Sequence, residues 1–440
     1  MYVSHLALVD YRSYREQVVE FPRSVIVLEG SNGRGKTNLV EALAYLSTFS
    51  SHRVSSSQAL VRVAPEGRKQ PGGAVIRARV QAEGYSTLLE LEIARGRANR
   101  ARLNRANVPP RDLLGHLRTV VFAPEDLELL RGDPAVRRRF LDDIITKIRP
   151  HFLGIRQDFD RVLRQRAATL KQLGKSGMDL TPEADSLLDV WDRQLADLSA
   201  TIVVHRQAVV DALQPLIQRA YDQLTEGDRE ATMTYQSHLS HHDGSSAGEN
   251  DSDGSSKTDF SHDSTDIFRV EEAETTSSLT QGIRVESGRI VGDAQDKIAD
   301  LSTRYVNVLR QLRSQELRRG INLEGAHRDD LLISLDRLPV RGYASHGELW
   351  SSALMMRLAE LELLRLDGDY PVLILDDVFA ELDSARRRGL LTQIEAVQQV
   401  FITVAVSADV PEELHASHFR VFRDNEGFSR IKDEGTGSGD

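Results

Sequence analysis

The stretch Gly30-Ser31-Asn32-Gly33-Arg34-Gly35-Lys36-Thr37 decides how this chain is read. It fits the pattern of a glycine, four residues, then Gly-Lys-Ser/Thr, which carries meaning only between a strand and a helix. Ahead of it, Ser24-Val25-Ile26-Val27-Leu28-Glu29 is apolar and β-branched, the composition of a buried strand. Behind it, Asn38-Leu39-Val40-Glu41-Ala42-Leu43-Ala44-Tyr45-Leu46 predicts a helix. A loop entering a helix N-terminus aims backbone N–H groups at an anion, and the helix dipole favours its charge. Gly30, Gly33 and Gly35 allow close approach and positive φ. Ser31, Asn32 and Arg34 complete the loop around the phosphates. Lys36 is placed to reach β- and γ-phosphates, and Thr37 to ligate Mg²⁺. ATP and Mg²⁺ are the cofactors expected. The bland alternative is a chance glycine-rich turn.

Such a loop needs an acidic partner. Pro371-Val372-Leu373-Ile374-Leu375-Asp376-Asp377 reads as a buried strand ending in two carboxylates. At the C-terminal edge of a parallel sheet they face the ligand crevice. Asp376 is the expected Mg²⁺ partner, and Asp377 the group that orients or deprotonates an attacking water. The competing reading is that two acids merely terminate a strand. Lys36 and Asp376 lie 340 positions apart, so one nucleotide site has to be assembled from both ends of the chain.

Composition sets the frame. With 440 residues the chain exceeds one ordinary core, and two or three domains are expected. It has no cysteine, which excludes disulfides and thiol chemistry and fits a reducing compartment. No apolar run reaches membrane-spanning length, so a cytoplasmic protein without a membrane partner is expected. The formal net charge of −10 hides an asymmetry. Residues 1–150 carry 24 Lys and Arg against 16 Asp and Glu, whereas residues 237–280 carry 2 against 10. The N-terminal part is therefore basic, as a nucleic-acid partner requires.

The expected organisation is an α/β ATPase head split around a helical insert. Residues 1–133 form an N-terminal lobe with strands at Tyr2–Val9, Ala74–Val80, Leu88–Ile93 and Val120–Phe122. Residues 134–320 form a helical arm, apolar at spacings of three and four, too short for a long coiled coil. Within it, 237–280 is expected to be a disordered acidic loop, because it has little apolar surface to bury. Its His238, His241, His242 and His262 have no fixed metal-ligand spacing and read as part of a solvated linker. Residues 321–440 form a C-terminal lobe with a flexible tail from about 430.

Two further segments point to the same site. Ala344-Ser345-His346-Gly347-Glu348 precedes a helix and resembles the ABC signature Leu-Ser-Gly-Gly-Gln. Ala380-Glu381-Leu382-Asp383 stands where ABC ATPases carry their D-loop. That resemblance implies that Ser345 and the Gly347 backbone cover the γ-phosphate on a second copy of the chain, so that two subunits sandwich two ATPs.

With these motifs the chain resembles the RecF family of bacterial recombination mediators, relatives of SMC and Rad50 heads, over nearly its whole length. The resemblance includes Asp10-Tyr11-Arg12-Ser13-Tyr14 and Phe122-Ala123-Pro124-Glu125-Asp126-Leu127, and its family-specific parts are Arg137-Arg138-Arg139 and Gly325-Ala326-His327-Arg328-Asp329-Asp330-Leu331. Ala326 stands where the family has proline, His346 and Glu348 replace polar amides, and no switch histidine occurs near Thr403-Val404. The resemblance implies a weak DNA-dependent ATPase that binds gapped DNA and single-stranded/double-stranded junctions and dimerises on ATP. It also implies work with RecR- and RecO-type mediators in repair, replication and SOS induction.

For DNA contact the candidates are Arg95, Arg97, Arg100, Arg102 and Arg105, a run with no acid inside it, which also reads as a solvated basic hairpin. Arg137 to Arg139 read as a brace between arm and head. An ABC transporter subunit would be about half this length with a switch histidine. An SMC-like structural head, the nearest alternative, would need long heptad arms.

Overall fold

The apolar run before Gly30 is a strand, Val25–Glu29, and the segment after it a helix, Lys36–Thr48, in the computed structural model of the chain. The structure describes residues 1–440 except 52, 55, 65–68, 176–180, 226–228, 241–283, 287–288, 292–293, 369, 380–381, 412–413 and 435–440. The chain divides into two compact units. The first comprises Met1–Gln157, Ala212–Tyr235 and Asp330–Asp440, the second Asp158–Asp211 and Gln236–Asp329.

Two six-stranded sheets build the first unit. One has the order Ser429–Asp433, Ala416–Arg423, Val25–Glu29, Val400–Val404, Val372–Asp376, Thr119–Phe122. All its pairings are parallel except that of the edge strand Ser429–Asp433. Val372–Asp376 and Val400–Val404 are buried at every position. That is why they read as unbroken apolar runs: a parallel sheet is covered on both faces. The other sheet is antiparallel, in the order Tyr14–Glu20, Tyr2–Tyr11, Gly73–Ala82, Tyr85–Ala94, Arg100–Leu103, Ala106–Val108. One apolar cluster joins inner residues of both sheets, among them Leu6, Ile76, Leu91, Ile26, Ile374 and Phe401, with Leu39, Ala42 and Leu43 of helix Lys36–Thr48. Ten of the thirteen residues of that helix are buried, so its position is fixed on several sides at once.

The boundaries expected at 134 and 320 need correction. Helix Pro134–Ile148 belongs to the first unit, where Arg137, Phe140, Leu141, Ile144 and Ile145 are buried. The Arg137 guanidinium donates to both Asp330 oxygens, at 2.7 and 2.9 Å, and to the carbonyls of Leu129 and Gly132. Arg139 donates to Ser50 Oγ. Residues 231–235 also join this unit, in a strand beside Asp330–Leu335 in a three-stranded sheet. Within the tail expected from about 430, the described residues up to Asp433 form a strand, because Ser429–Asp433 pairs with Ala416–Arg423.

The second unit is helical, drawing on helices Phe152–Lys175, Pro182–Leu224 and Ala294–Arg319. Its interior is apolar, with Leu170, Leu188, Leu195 and Leu309 fully buried, but it also holds a network of buried charges. Arg166 has no exposed side-chain surface and reaches Asp192 at 2.7 Å, Glu316 at 2.6 Å and Asn322 at 2.9 Å. Arg313 adds pairs to Asp185, Asp189 and Asp192. Charges this deep need partners with good geometry, and each guanidinium here has several. His238 approaches Glu324 at 2.6 Å, and its N–H donates to Asp329 at 2.8 Å. His241, His242, His262 and most of the expected acidic loop lie outside the described residues. Among the described residues, no helix is long and apolar enough to cross a membrane.

Candidate nucleotide site

Loop 30–35 leaves the parallel sheet at its C-terminal edge, where Asp376 also ends its strand. Strand Val400–Val404 lies between the two, pairing Thr403 with Asp376 on one side and with Leu28 on the other. The two halves of the site meet there. Thr37 Oγ1 donates to Asp376 Oδ1 at 3.1 Å, across 339 positions of sequence. Thr403 Oγ1 donates to the same oxygen at 2.5 Å and accepts the Asp377 N–H at 2.9 Å. Asp376 is buried, whereas Asp377 follows with a left-handed backbone, φ +52.

The glycines are used as their chemistry requires. Gly33 and Gly35 have φ of +75 and +115. A Cβ on Gly30 would sit 2.2 Å from Val421 O. Gly35 is the N-cap of helix Lys36–Thr48, so the first free N–H groups of that helix open onto the loop. Ser31, Asn32, Gly33 and Arg34 are exposed at its crown. Lys36 is buried, and its ammonium donates to Gly30 O at 2.6 Å, folded back over the loop. The free N–H groups of a helix N-terminus, a lysine folded back onto the loop, and a hydroxyl–carboxylate pair of hard oxygen donors fit a polyphosphate and a divalent cation.

Ser345 and Gly347 head the helix His346–Leu366 and bond within that helix rather than to loop 30–37. Ser345 Oγ accepts the Glu348 N–H at 3.3 Å, and the Ser345 N–H donates to Glu348 Oε2 at 2.7 Å, a capping box. Arg229 adds an ion pair to Glu348 at 2.9 Å. Hydrogen bonds from Ser345 hold the Glu348 carboxyl below its usual range. The charge that departs from the signature pattern is thus committed to the helix cap. A Cβ on Gly347 would meet the Arg386 guanidinium at 3.1 Å, and Arg386 Nε donates to Ser351 at 2.6 Å. Ala380 and Glu381 of the expected D-loop lie outside the described residues, but Asp383 caps the next helix and pairs with Arg386.

Several contacts had no local sequence signal. Arg12 donates to the buried carboxylate of Glu41 at 2.7 and 2.8 Å, and Ser51 donates to it at 2.6 Å. Ser13, Tyr14, Arg423 and Ser429 gather behind the loop. Ser13 and Tyr14 stand in a motif noted from the sequence without a role. Ser429 and Arg423 carried no signal.

The arginine run differs from its linear reading. Register sets Glu90 opposite Arg102, and Glu92 opposite Arg100. Arg102 pairs with Glu90 at 3.0 Å and Arg97 with Glu92 at 2.5 Å, while Arg95 is half-buried. Arg100 and Arg105 are exposed. Acids absent from the run itself come from the neighbouring strand.

A parallel sheet carrying this strand–loop–helix, with an aspartate strand beside it and a capped signature-like helix, defines an ABC-type P-loop ATPase head. The family model described as the RecF/RecN/SMC N terminal domain matches residues 2–430. The chain is 43% identical over 429 residues to the DNA replication and repair protein RecF of Pseudarthrobacter chlorophenolicus, covering 96% of this chain and 98% of the relative. It is 42% identical over 428 residues to the protein of that name from Streptomyces avermitilis, with the same coverage. The chain belongs to the RecF family. In fold it resembles the recombination mediator protein RecF solved with ATP in the RecFOR pathway, with a TM-score of 0.74 at 24% identity, over 98% of this chain and 97% of that one. It also resembles an SMC head bound to the C-winged helix domain of ScpA, with a TM-score of 0.51 at 13% identity, over 99% and 98%.

Proposed function

We propose that this chain is an ATP-dependent DNA-binding protein of recombinational repair and replication, two copies of which close around ATP. One observation carries the reading: Thr37 and Asp376, from opposite ends of the chain, share a hydrogen bond at the mouth of the glycine loop. The relatives' common name, DNA replication and repair protein RecF, supports the cellular role. The solved recombination mediator of the RecFOR pathway with ATP supports the ligand.

In this reading the N–H groups of loop 30–37 and the Lys36 ammonium hold the phosphates. Thr37 and Asp376 would hold Mg²⁺, Asp376 through water, and the ion would supply positive charge to the phosphates. Asp377 orients the attacking water and takes its proton. Ser345 and Gly347 cover the γ-phosphate of the other copy, so ATP acts as glue between subunits and is hydrolysed slowly. Arg100 and Arg105 contact DNA phosphates, with no base-reading element, so gaps and single-stranded/double-stranded junctions are recognised by form. RecR- and RecO-type mediators, recombinase loading and SOS induction, in the cytoplasm, belong to the same proposal.

Lys36→Ala tests it. The variant should lose ATP-dependent dimerisation and DNA binding while keeping its fold. A variant that still dimerised on ATP would put the nucleotide elsewhere.

A further inference from the structure

Three consecutive carbonyls of the loop are held from outside it. Arg423 Nη2 donates to Gly33 O at 3.0 Å, Ser429 Oγ donates to Arg34 O, and Tyr14 Oη donates to Gly35 O at 3.1 Å. In a planar trans peptide the N–H points opposite to the C=O. Fixing Arg34 O outward therefore turns the Gly35 N–H inward, and Gly35 O, which accepts the Leu39 N–H at 3.1 Å as well as the Tyr14 phenol, does the same for the Lys36 N–H. Successive N–H groups facing one point make an anion-binding nest. The Arg34 N–H, in the peptide whose carbonyl Arg423 holds, closes a 3.3 Å turn onto Ser31 O.

The protons behind Ser429 run in one direction. Asn38 Nδ2 donates to Ser13 Oγ at 2.8 Å, and its Oδ1 accepts from Arg53 at 2.9 Å. Ser13 is then free to give its proton to Ser429 Oγ, 2.7 Å away. A hydroxyl has one proton, so that of Ser429 is left for Arg34 O. Ser429 has no exposed surface, and a Cβ on Gly35 would lie 2.5 Å from its oxygen. Burial pushes the Tyr14 phenol up, so it stays a donor well above neutral pH.

We propose that Tyr14, Ser13 and Ser429 are positioning residues that set the polarity of the phosphate loop through its outward carbonyls. They form a brace joining the turn after the first strand to the terminal hairpin. The proposal rests on the reading of Gly30–Thr37 as a phosphate site and adds residues that touch no phosphate.

The test is titration of the full chain with fluorescent ADP and Mg²⁺, together with the ³¹P spectrum of bound ADP. Tyr14→Phe and Ser429→Ala should each weaken ADP by roughly three- to tenfold, the range for one neutral hydrogen bond. The β-phosphate resonance should move in both. Lys432→Ala, exposed on the same hairpin, should change neither quantity. A packing role alone would lower the melting temperature and leave the ³¹P line in place. If Ser429→Ala fails to fold, Tyr14→Phe, which loses one oxygen and no packing, decides alone. Parent affinity with an unmoved β-phosphate line in the variants that fold overturns the brace. Lys36→Ala separates the two levels: parent ADP affinity there would sink the loop reading itself.

Discussion

Thr403 shows how much one hydroxyl can organise. It sits between the P-loop strand and the aspartate strand, gives its proton to Asp376 and receives the Asp377 N–H. Thr403→Val keeps the shape and removes both bonds. Loss of such a supporting partner costs about ten- to a hundredfold in metal affinity or activity. We expect ATP turnover to fall by that factor in steady-state assays, with the melting temperature nearly unchanged. Parent turnover in the variant would deny Thr403 that role. Asp376 and Asp377 were legible because an apolar run ending in two acids is a local pattern. Thr403 drew notice only for not being histidine, since which residue faces Asp376 depends on strand register.

Glu360 makes a second prediction at this scale. Burial raises its carboxyl pKa, but the charges of Lys147, at 2.5 Å, and Arg357, at 2.8 Å, outweigh that and hold it below the ordinary 4.5. A depressed folded pKa gives stability that is complete above the unfolded value and lost as pH falls through the folded one. Melting temperature should therefore decline below about pH 4.5. Glu360→Gln should cost about 3–5 kcal/mol at neutral pH, because two buried cations lose a partner. It should also flatten the acid limb of the melting curve. An unchanged limb would assign the acid loss to other carboxylates.

At the scale of elements, the helix His346–Leu366 carries two separable properties at its first turn. Its capping box satisfies N–H groups that the helix cannot, and Ser345→Ala should cost about 1 kcal/mol, read by chemical denaturation. Ser345→Arg tests the other property: ATP should still bind one copy, while dimers should not form. Unimpaired dimers would remove Ser345 from the γ-phosphate cover. The strand–loop–helix around Gly30 was legible because three adjacent segments each announced their type. The brace behind it was not, since Ser13 and Ser429 meet across 416 positions. The pairing of Arg97 and Arg102 was not legible for the same reason, because Glu90 and Glu92 belong to the neighbouring strand and not to the run itself. The placing of helix Pro134–Ile148 was not legible because partners of its buried residues are remote in sequence: Asp330 lies 193 positions from Arg137.

For the whole molecule, the sequence separation of the site has a consequence. A nucleotide on loop 30–37 touches residues that fold only when both chain ends have joined one sheet. Binding there should stabilise the first unit as a whole. The central claim is that ATP on this split site holds two copies together on DNA. Sedimentation velocity tests it most directly, on the parent chain and on Lys36→Ala and Ser345→Arg, each with and without ATP and gapped DNA. We expect the parent to shift from monomer to dimer on ATP and to co-sediment with DNA only then, and both variants to remain monomeric. A parent that stays monomeric with ATP and gapped DNA, or a Lys36→Ala chain that still dimerises on ATP, would contradict it.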